Sequence, residues 1–160
     1  MSTWSGIKNK LETDYLAPSL KGRIQYFVTR YRLAHDQEGR AAILLDGEEI
    51  LKGNFYNFVK YEHLLPKEQR QEKWNLLDET TIDLGMFDQR SFYFSFDIFD
   101  NQSIEKSLES DNLLVRIFAV LDRRVGKRRL VAMSEKIGEV EPIFKLFYLI
   151  RLDAEGIKIA

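Results

Sequence analysis

Between positions 116 and 129 the chain carries six cationic side chains: Arg116, Arg123, Arg124, Lys127, Arg128 and Arg129. Clustered guanidinium groups hold oxyanions through paired N–H donors, so this group could form an anion site for phosphates or for an acidic partner. A plainer reading competes with it. Cations at a helix C-terminus interact favourably with the helix dipole and bond its last carbonyls. Some of these side chains could also pair with Asp122 or with the acidic run from Asp97 to Asp111. Five positive charges within seven residues exceed what one helix end requires, and that excess keeps the anion site as the leading functional candidate.

Other constellations are weaker. Gln25, Arg30, Tyr31 and Arg32, with Tyr26 and Phe27, place basic and aromatic residues on or beside one strand, a combination that can stack bases. The aromatic patterns of the common RNA-binding modules are absent, and a half-buried strand with solvated arginines explains the same residues. Asp46, Glu48, Glu49 and Lys52 look like the acidic residues plus lysine of metal-dependent nucleases. Asp46 is already explained by a turn, however, and the Glu-to-Lys spacing fits that pattern poorly. His35 with Asp36, and His63 beside Glu62, could each supply a general base, but they lack the close histidine spacing of a metal site. No P-loop, dinucleotide fingerprint, nucleophile elbow or zinc motif occurs, and no cofactor is called for.

The elements that must position the basic cluster follow from periodicity. Ser110 reads as an N-cap, and Asp111 adds a negative charge where the dipole favours one. Leu114, Ile117, Phe118, Leu121 and Val125 then fall on one helical face. Arg116, Arg123 and Lys127 fall on another, within roughly 40° of one another at about 100° per residue. Continued past Val125, the helix would carry Arg128 onto the apolar stripe. Gly126 resolves that conflict, because glycine readily adopts the left-handed conformation that ends helices. The expectation is a helix, a sharp turn at Val125, Gly126 and Lys127, and a second short helix over 128–136.

The remainder reads as follows. Residues 3–16 form an opening helix with Trp4, Ile7, Leu11 and Tyr15 on one face, ended by Pro18. RIQYFVTRY from Arg23, RAAILL from Arg40 and EEIL from Glu48 read as three strands of an antiparallel meander. LAHDQEG links the first pair, Asp46 and Gly47 give the hairpin signal between the second pair, and Gly53 and Asn54 close the third strand. NFYNFVKYEHLL is open between strand and aromatic helix, and PKEQRQEKWNLLD looks helical. Met86 to Phe99 fits both periods, since Phe92, Phe94, Phe96 and Ile98 alternate while Phe92, Phe96 and Phe99 share a helical face. We favour helix there, because helical segments follow directly and leave little room for a sheet connection. Its phenylalanines read as dense core rather than as an aromatic ligand pocket. Ser103 caps a short helix to Glu109. Pro142 opens a last helix bearing Ile143, Phe144, Phe147, Tyr148, Ile150 and Arg151 and ended by Gly156.

Composition bounds the answer. At 160 residues, 44% hydrophobic, 31% charged and 12% aromatic, the chain reads as a single globular domain spanning 1–160. A net charge of −1 means that capture of nucleic acid or an anionic membrane would have to come from local segregation of charge. The absence of cysteine removes disulfides, thiol catalysis and cysteine-based metal sites. No apolar run resembles a signal peptide or approaches the ~20 residues of a membrane helix, so the cytoplasm is expected, with no membrane partner.

The run LDRRVGKRRL, preceded by SIEKSLESDN, resembles the signature of a small family of uncharacterised bacterial proteins of about this length. The resemblance extends over most of the chain, including GRIQYFVTRYR. It implies a bacterial, intracellular setting and assigns no reaction, cofactor or partner.

Taken together, the sequence predicts an α+β fold: an N-terminal helix, a three-stranded antiparallel meander and a mainly helical C-terminal half packed on one sheet face. It favours a non-catalytic binding module that uses Arg116, Arg123, Arg124, Lys127, Arg128 and Arg129 for an anionic partner, either nucleic acid or an acidic protein surface. A metal-dependent phosphate-ester hydrolase and a protein–protein inhibitor or immunity-type protein are the alternatives.

Overall fold

The computed structural model describes residues 3–28, 40–53, 77–83 and 87–158. The chain opens with α1 (Trp4–Asn9), a π-helical turn (Lys10–Asp14) and a 3-10 turn (Pro18–Leu20). Strands β1 (Ile24–Val28), β2 (Ala41–Leu45) and β3 (Glu48–Lys52) follow. The remaining described elements are helical: α2 (Glu79–Asp83), α3 (Gln89–Asp100), α4 (Ile104–Leu108), α5 (Leu113–Val120), α6 (Lys127–Met133), a 3-10 helix (Ser134–Glu139) and α7 (Pro142–Glu155). The sheet is three-stranded and antiparallel in the order β1-β2-β3, and the fold is the α+β arrangement that the sequence predicts. The expected loop 33–39, the aromatic segment 54–65, most of the expected helix 66–78, and Met86 lie outside the described residues.

Turn chemistry builds the meander. Asp46 and Gly47 have φ of 52° and 87°, the paired positive values of a turn whose twist suits a two-residue hairpin. Strand alternation then puts Ile24 and Tyr26 of β1, Ile43 of β2 and Leu51 of β3 in the core, while Gln25 and Phe27 are exposed. Lys8 and Glu12, one helical turn apart, cover the outer edge of β1. The Tyr26 N–H donates to Glu12 Oε2 at 2.8 Å, and the Tyr26 carbonyl accepts from Lys8 Nζ at 2.8 Å. Both backbone groups of an edge residue, which would otherwise invite another strand, are thereby satisfied.

The helical half packs around α5. Every residue of α5 except Arg116 is buried, as expected of a helix that is apolar all round. Asn112 is its N-cap: Oδ1 accepts from the N–H groups of Leu114 at 3.0 Å and Val115 at 3.2 Å. Ser110, the expected cap, instead accepts from the Asn112 N–H. Residues 89–100 are helical, which resolves the two-period ambiguity of 86–99 in favour of helix. A capping box starts α3, with the Asp88 side chain accepting from Ser91 N–H and Ser91 Oγ accepting from Asp88 N–H. Phe92 and Phe99 then meet Phe118 of α5 with ring centroids 5.4 and 5.5 Å apart, and Tyr26 reaches Phe118 from the sheet at 5.7 Å. Each such pair adds about 0.5–1.5 kcal/mol beyond the area it buries.

Gly53 marks the closest backbone approach. Its N–H donates to the Ala41 carbonyl while the Ala41 N–H donates to Phe87, and a Cβ on Gly53 would lie 1.7 Å from the Phe87 carbonyl oxygen. Gly53→Ala should therefore destabilise the fold by about 3 kcal/mol in urea unfolding, the upper part of the overpacking range. Gly138→Ala, where an added Cβ meets nothing within 4 Å, should change stability by less than about 1 kcal/mol.

Candidate anion-binding corner

The basic cluster sits on the connection from α5 to α6, and three sets of bonds shape that connection. The first comes from Arg151 of α7, which is 3% exposed. Its Nη1 donates to the carbonyls of Val120 at 2.9 Å and Asp122 at 2.8 Å, its Nη2 to Val125 at 2.7 Å, and its Nε to Glu155 at 3.1 Å. Burial lowers the Arg151 pKa, but an arginine starts so high that the side chain stays cationic. The second set belongs to Asp122, buried at 1% exposure. Its carboxylate accepts from the Arg124 N–H at 2.7 Å, Nε at 3.0 Å and Nη2 at 2.9 Å. The third is backbone pairing with the N-terminal segment: Ala17 N–H to Leu121 at 2.9 Å, and Arg123 N–H to Tyr15 at 2.7 Å.

These bonds overturn one expectation. The helix stops at Val120, with Leu121 as its C-cap, rather than running on to Val125. Gly126 has φ −83° and ψ 170°, extended rather than left-handed, and is the N-cap of α6. The carbonyls that a continuing helix would use internally are taken by Arg151, so the chain leaves the helix before glycine is needed. The second helix does exist, beginning at Lys127 and passing into a 3-10 helix after Met133.

The six cations divide into an inner and an outer group. Arg124 lies with its guanidinium carbon 5.1 Å from the centre of the Tyr15 ring and 5.7 Å from that of Phe99, while holding Asp122. The Tyr15 hydroxyl donates to Asp100; burial first, and then that bond, push its pKa up to about 12. Arg116, with a side chain only 16% exposed, pairs both terminal nitrogens with Glu141 and lies over Phe144 at 5.5 Å. Arg129 meets Glu105 at 3.4 Å in an exposed pair, the kind that contributes little. Arg123, Lys127 and Arg128 are exposed, and so is Arg124, its side chain 38% exposed while it holds Asp122. Among the described residues, Arg123 and Arg128 have no ion pair, and Lys127 acts on Glu155 through charge alone.

Among the described residues the other sequence candidates do not come together as a site. Tyr26 is buried and cannot stack a base, which leaves Phe27 as the exposed ring on β1. Asp46 bonds Arg23, and Glu49 bonds Arg40 at 2.5 and 2.9 Å. Among the described residues no three carboxylates or histidines come together in a way that could hold a metal. Arg30, Tyr31, Arg32, His35, Asp36, Glu62 and His63 lie outside the described residues.

Sequence reasoning missed Arg151 and Glu141. Arg151 shares its helical face with Phe144, Phe147 and Tyr148, and a cation embedded in an apolar stripe must find acceptors inside the protein. That signal was available in the sequence. Glu141 gave none beyond its position before Pro142.

The site thus belongs to a small α+β domain in which a buried arginine clamps the turn after a central helix and the turn presents an exposed basic edge. The sequence model of the SF0329 protein family matches residues 3–152, and the chain belongs to that family. No curated protein and no solved structure matches it. Among the described residues no helix is long and apolar enough to cross a membrane.

The inner pairs carry a pH signature. The hydrogen bond from Arg116 holds the Glu141 carboxyl below the ordinary carboxylate value of 4.5, and the Ser19 hydroxyl, followed by Arg151, does the same for Glu155. A carboxyl with a depressed folded pKa stabilises the fold above its unfolded value, and this contribution is lost as pH falls through the folded one. Wild-type stability in urea should therefore decline from about pH 5 to about pH 3. Glu141→Gln should lower stability at neutral pH by about 1 kcal/mol and make that acid decline shallower. An unchanged acid limb would contradict the pairing.

Proposed function

We propose that this protein is a non-catalytic binding module that engages an anionic partner, with phosphate groups of nucleic acid as the first candidate, through Arg123, Lys127 and Arg128. Arg129 joins them when its exposed pair with Glu105 exchanges. Arg124 and Arg116 belong to the framework: their charges are already met by Asp122 and Glu141. The observation that carries this reading is that Arg123 and Arg128 remain exposed and, among the described residues, without carboxylate partners, beside a turn otherwise fixed by buried bonds. Cations held on a rigid frame lose little further freedom on binding, which favours recognition of a repeated anion. An acidic protein surface offers the same chemistry and is the alternative partner. In this reading the protein works in a bacterial cytoplasm, the setting implied by the resemblance carried in its LDRRVGKR run.

A specific feature supports a protein partner as the second reading. Leu146 and Leu149, 41% and 48% exposed, stand on the outward face of α7. Large exposed apolar residues grouped on one helix face are a mark of interaction surfaces.

Binding of labelled single-stranded and duplex nucleic acid at about 50 and 200 mM salt separates these readings. With three phosphates contacted, the duplex log–log salt slope should be near −2.7, on the order of −0.9 per contact. Arg123→Ala/Lys127→Ala/Arg128→Ala should flatten it while leaving stability within about 0.5 kcal/mol of wild type. Absence of binding at low salt would sink the nucleic-acid reading and leave a protein partner.

A further inference from the structure

A half-open cavity of about 330 Å³ shares Arg116 with the basic cluster. Leu108, Met133, Ile137, Val140 and Phe144 form its apolar wall, and Arg116, half-buried, supplies its cation. Four helical segments meet there: the end of α4, the middle of α5, the last turn of α6 with its 3-10 extension, and the start of α7. The volume falls within the range of small-molecule pockets. Met133 is an unbranched side chain able to adjust to an occupant.

The polar chemistry of the cavity narrows the class of ligand. Arg116 uses its two terminal nitrogens on Glu141 and lays a face on Phe144, while its Nε–H is buried with no acceptor among the described residues. An unpaired buried donor costs about 1–3 kcal/mol, and such a group in a native fold asks for a missing acceptor. That acceptor need not be charged. Glu141 already neutralises Arg116, and of the remaining charged lining residues Glu109 and Glu135 outnumber Lys136. An anion placed here would meet net repulsion, whereas a neutral oxygen would not.

We propose that this cavity binds a small, neutral, largely apolar molecule whose carbonyl-type oxygen accepts a hydrogen bond from Arg116. This is independent of the exposed cations: it concerns Arg116, which the proposed function assigns to the framework. The apolar body of the ligand fills the space between α6 and α7, and as the Arg116 side chain turns, its oxygen meets the Nε–H, which is otherwise closed to solvent. Ala132, exposed at the cavity wall, provides a place to block entry without touching the core.

The test uses the full chain and three fluorescent probes. Nile red is neutral and carries a carbonyl, N-phenyl-1-naphthylamine is neutral without one, and anilinonaphthalene sulfonate is an anion. Nile red should bind saturably at one site and more tightly than either of the others. Ala132→Trp should weaken it at least about tenfold while the circular dichroism stays that of wild type. Arg116→Met/Glu141→Met removes both charges together and so leaves no lone buried ion; it should weaken Nile red by about tenfold, the value of one charged hydrogen bond, and leave N-phenyl-1-naphthylamine unchanged. No saturable binding of Nile red, or equal binding to Ala132→Trp, overturns the site. Equal affinity for the two neutral probes overturns the role given to Arg116, and tighter binding of the sulfonate overturns the neutral class.

Discussion

A single buried guanidinium decides how the two halves of the C-terminal region meet. Arg151 enters from α7 and donates to three carbonyls of the segment from Val120 to Val125. The end of a helix leaves carbonyls without intrahelical partners, and a buried end needs partners from elsewhere. Here they come from another helix, and the cation that supplies them is itself satisfied by carbonyls and by Glu155. Removing either side would strand the other in the interior, the costly case for buried charge. The turn is thus fixed by mutual need rather than by local propensity.

Fixing the turn sorts the charges around it. Asp122 is drawn inward and takes Arg124, whose guanidinium then packs on Tyr15 and Phe99. Through Tyr15, Ala17 and Leu121, the N-terminal segment joins the same assembly. What remains outside is Arg123 and the first turn of α6. A chain whose net charge is only −1 can in this way present a locally basic edge, because its neutralising carboxylates are held at other places. The 3-10 segment after α6 and the start of α7 line the apolar cavity beside Arg116, so framework and surface residues alternate along one short stretch of sequence.

Much of this was legible in advance, and the exceptions have physical causes. The Asp46–Gly47 hairpin, the alternation of β1, the Pro142 start and the Gly156 stop of α7 are local signals, and local signals survive folding. Residues 86–99 were ambiguous because phenylalanines fit either period; a capping box at Asp88 and Ser91 favours helix, and sequence inspection had not weighed it. The end of α5 was misplaced because the bonds that end it come from a residue roughly thirty positions away, and periodicity cannot see them. The basic cluster was found as a set, but its division into paired and free members rests on partners such as Glu105 and Glu141, whose proximity only the tertiary fold creates.

The most direct test of this account is native-state hydrogen exchange in Arg151→Lys, read at the amides of Ala17, Arg123 and Val125. These N–H groups donate to Leu121, Tyr15 and Asp122, the bonds that hold the turn in place. A lysine keeps the charge but lacks the fork that spans three carbonyls. The account predicts that these amides exchange about 10- to 100-fold faster in the variant, the loss of one or two charged hydrogen bonds, while amides of the sheet change less. Unchanged protection at Arg123 and Val125 in a folded Arg151→Lys protein would contradict it, and the turn would then owe its shape to something other than the buried arginine.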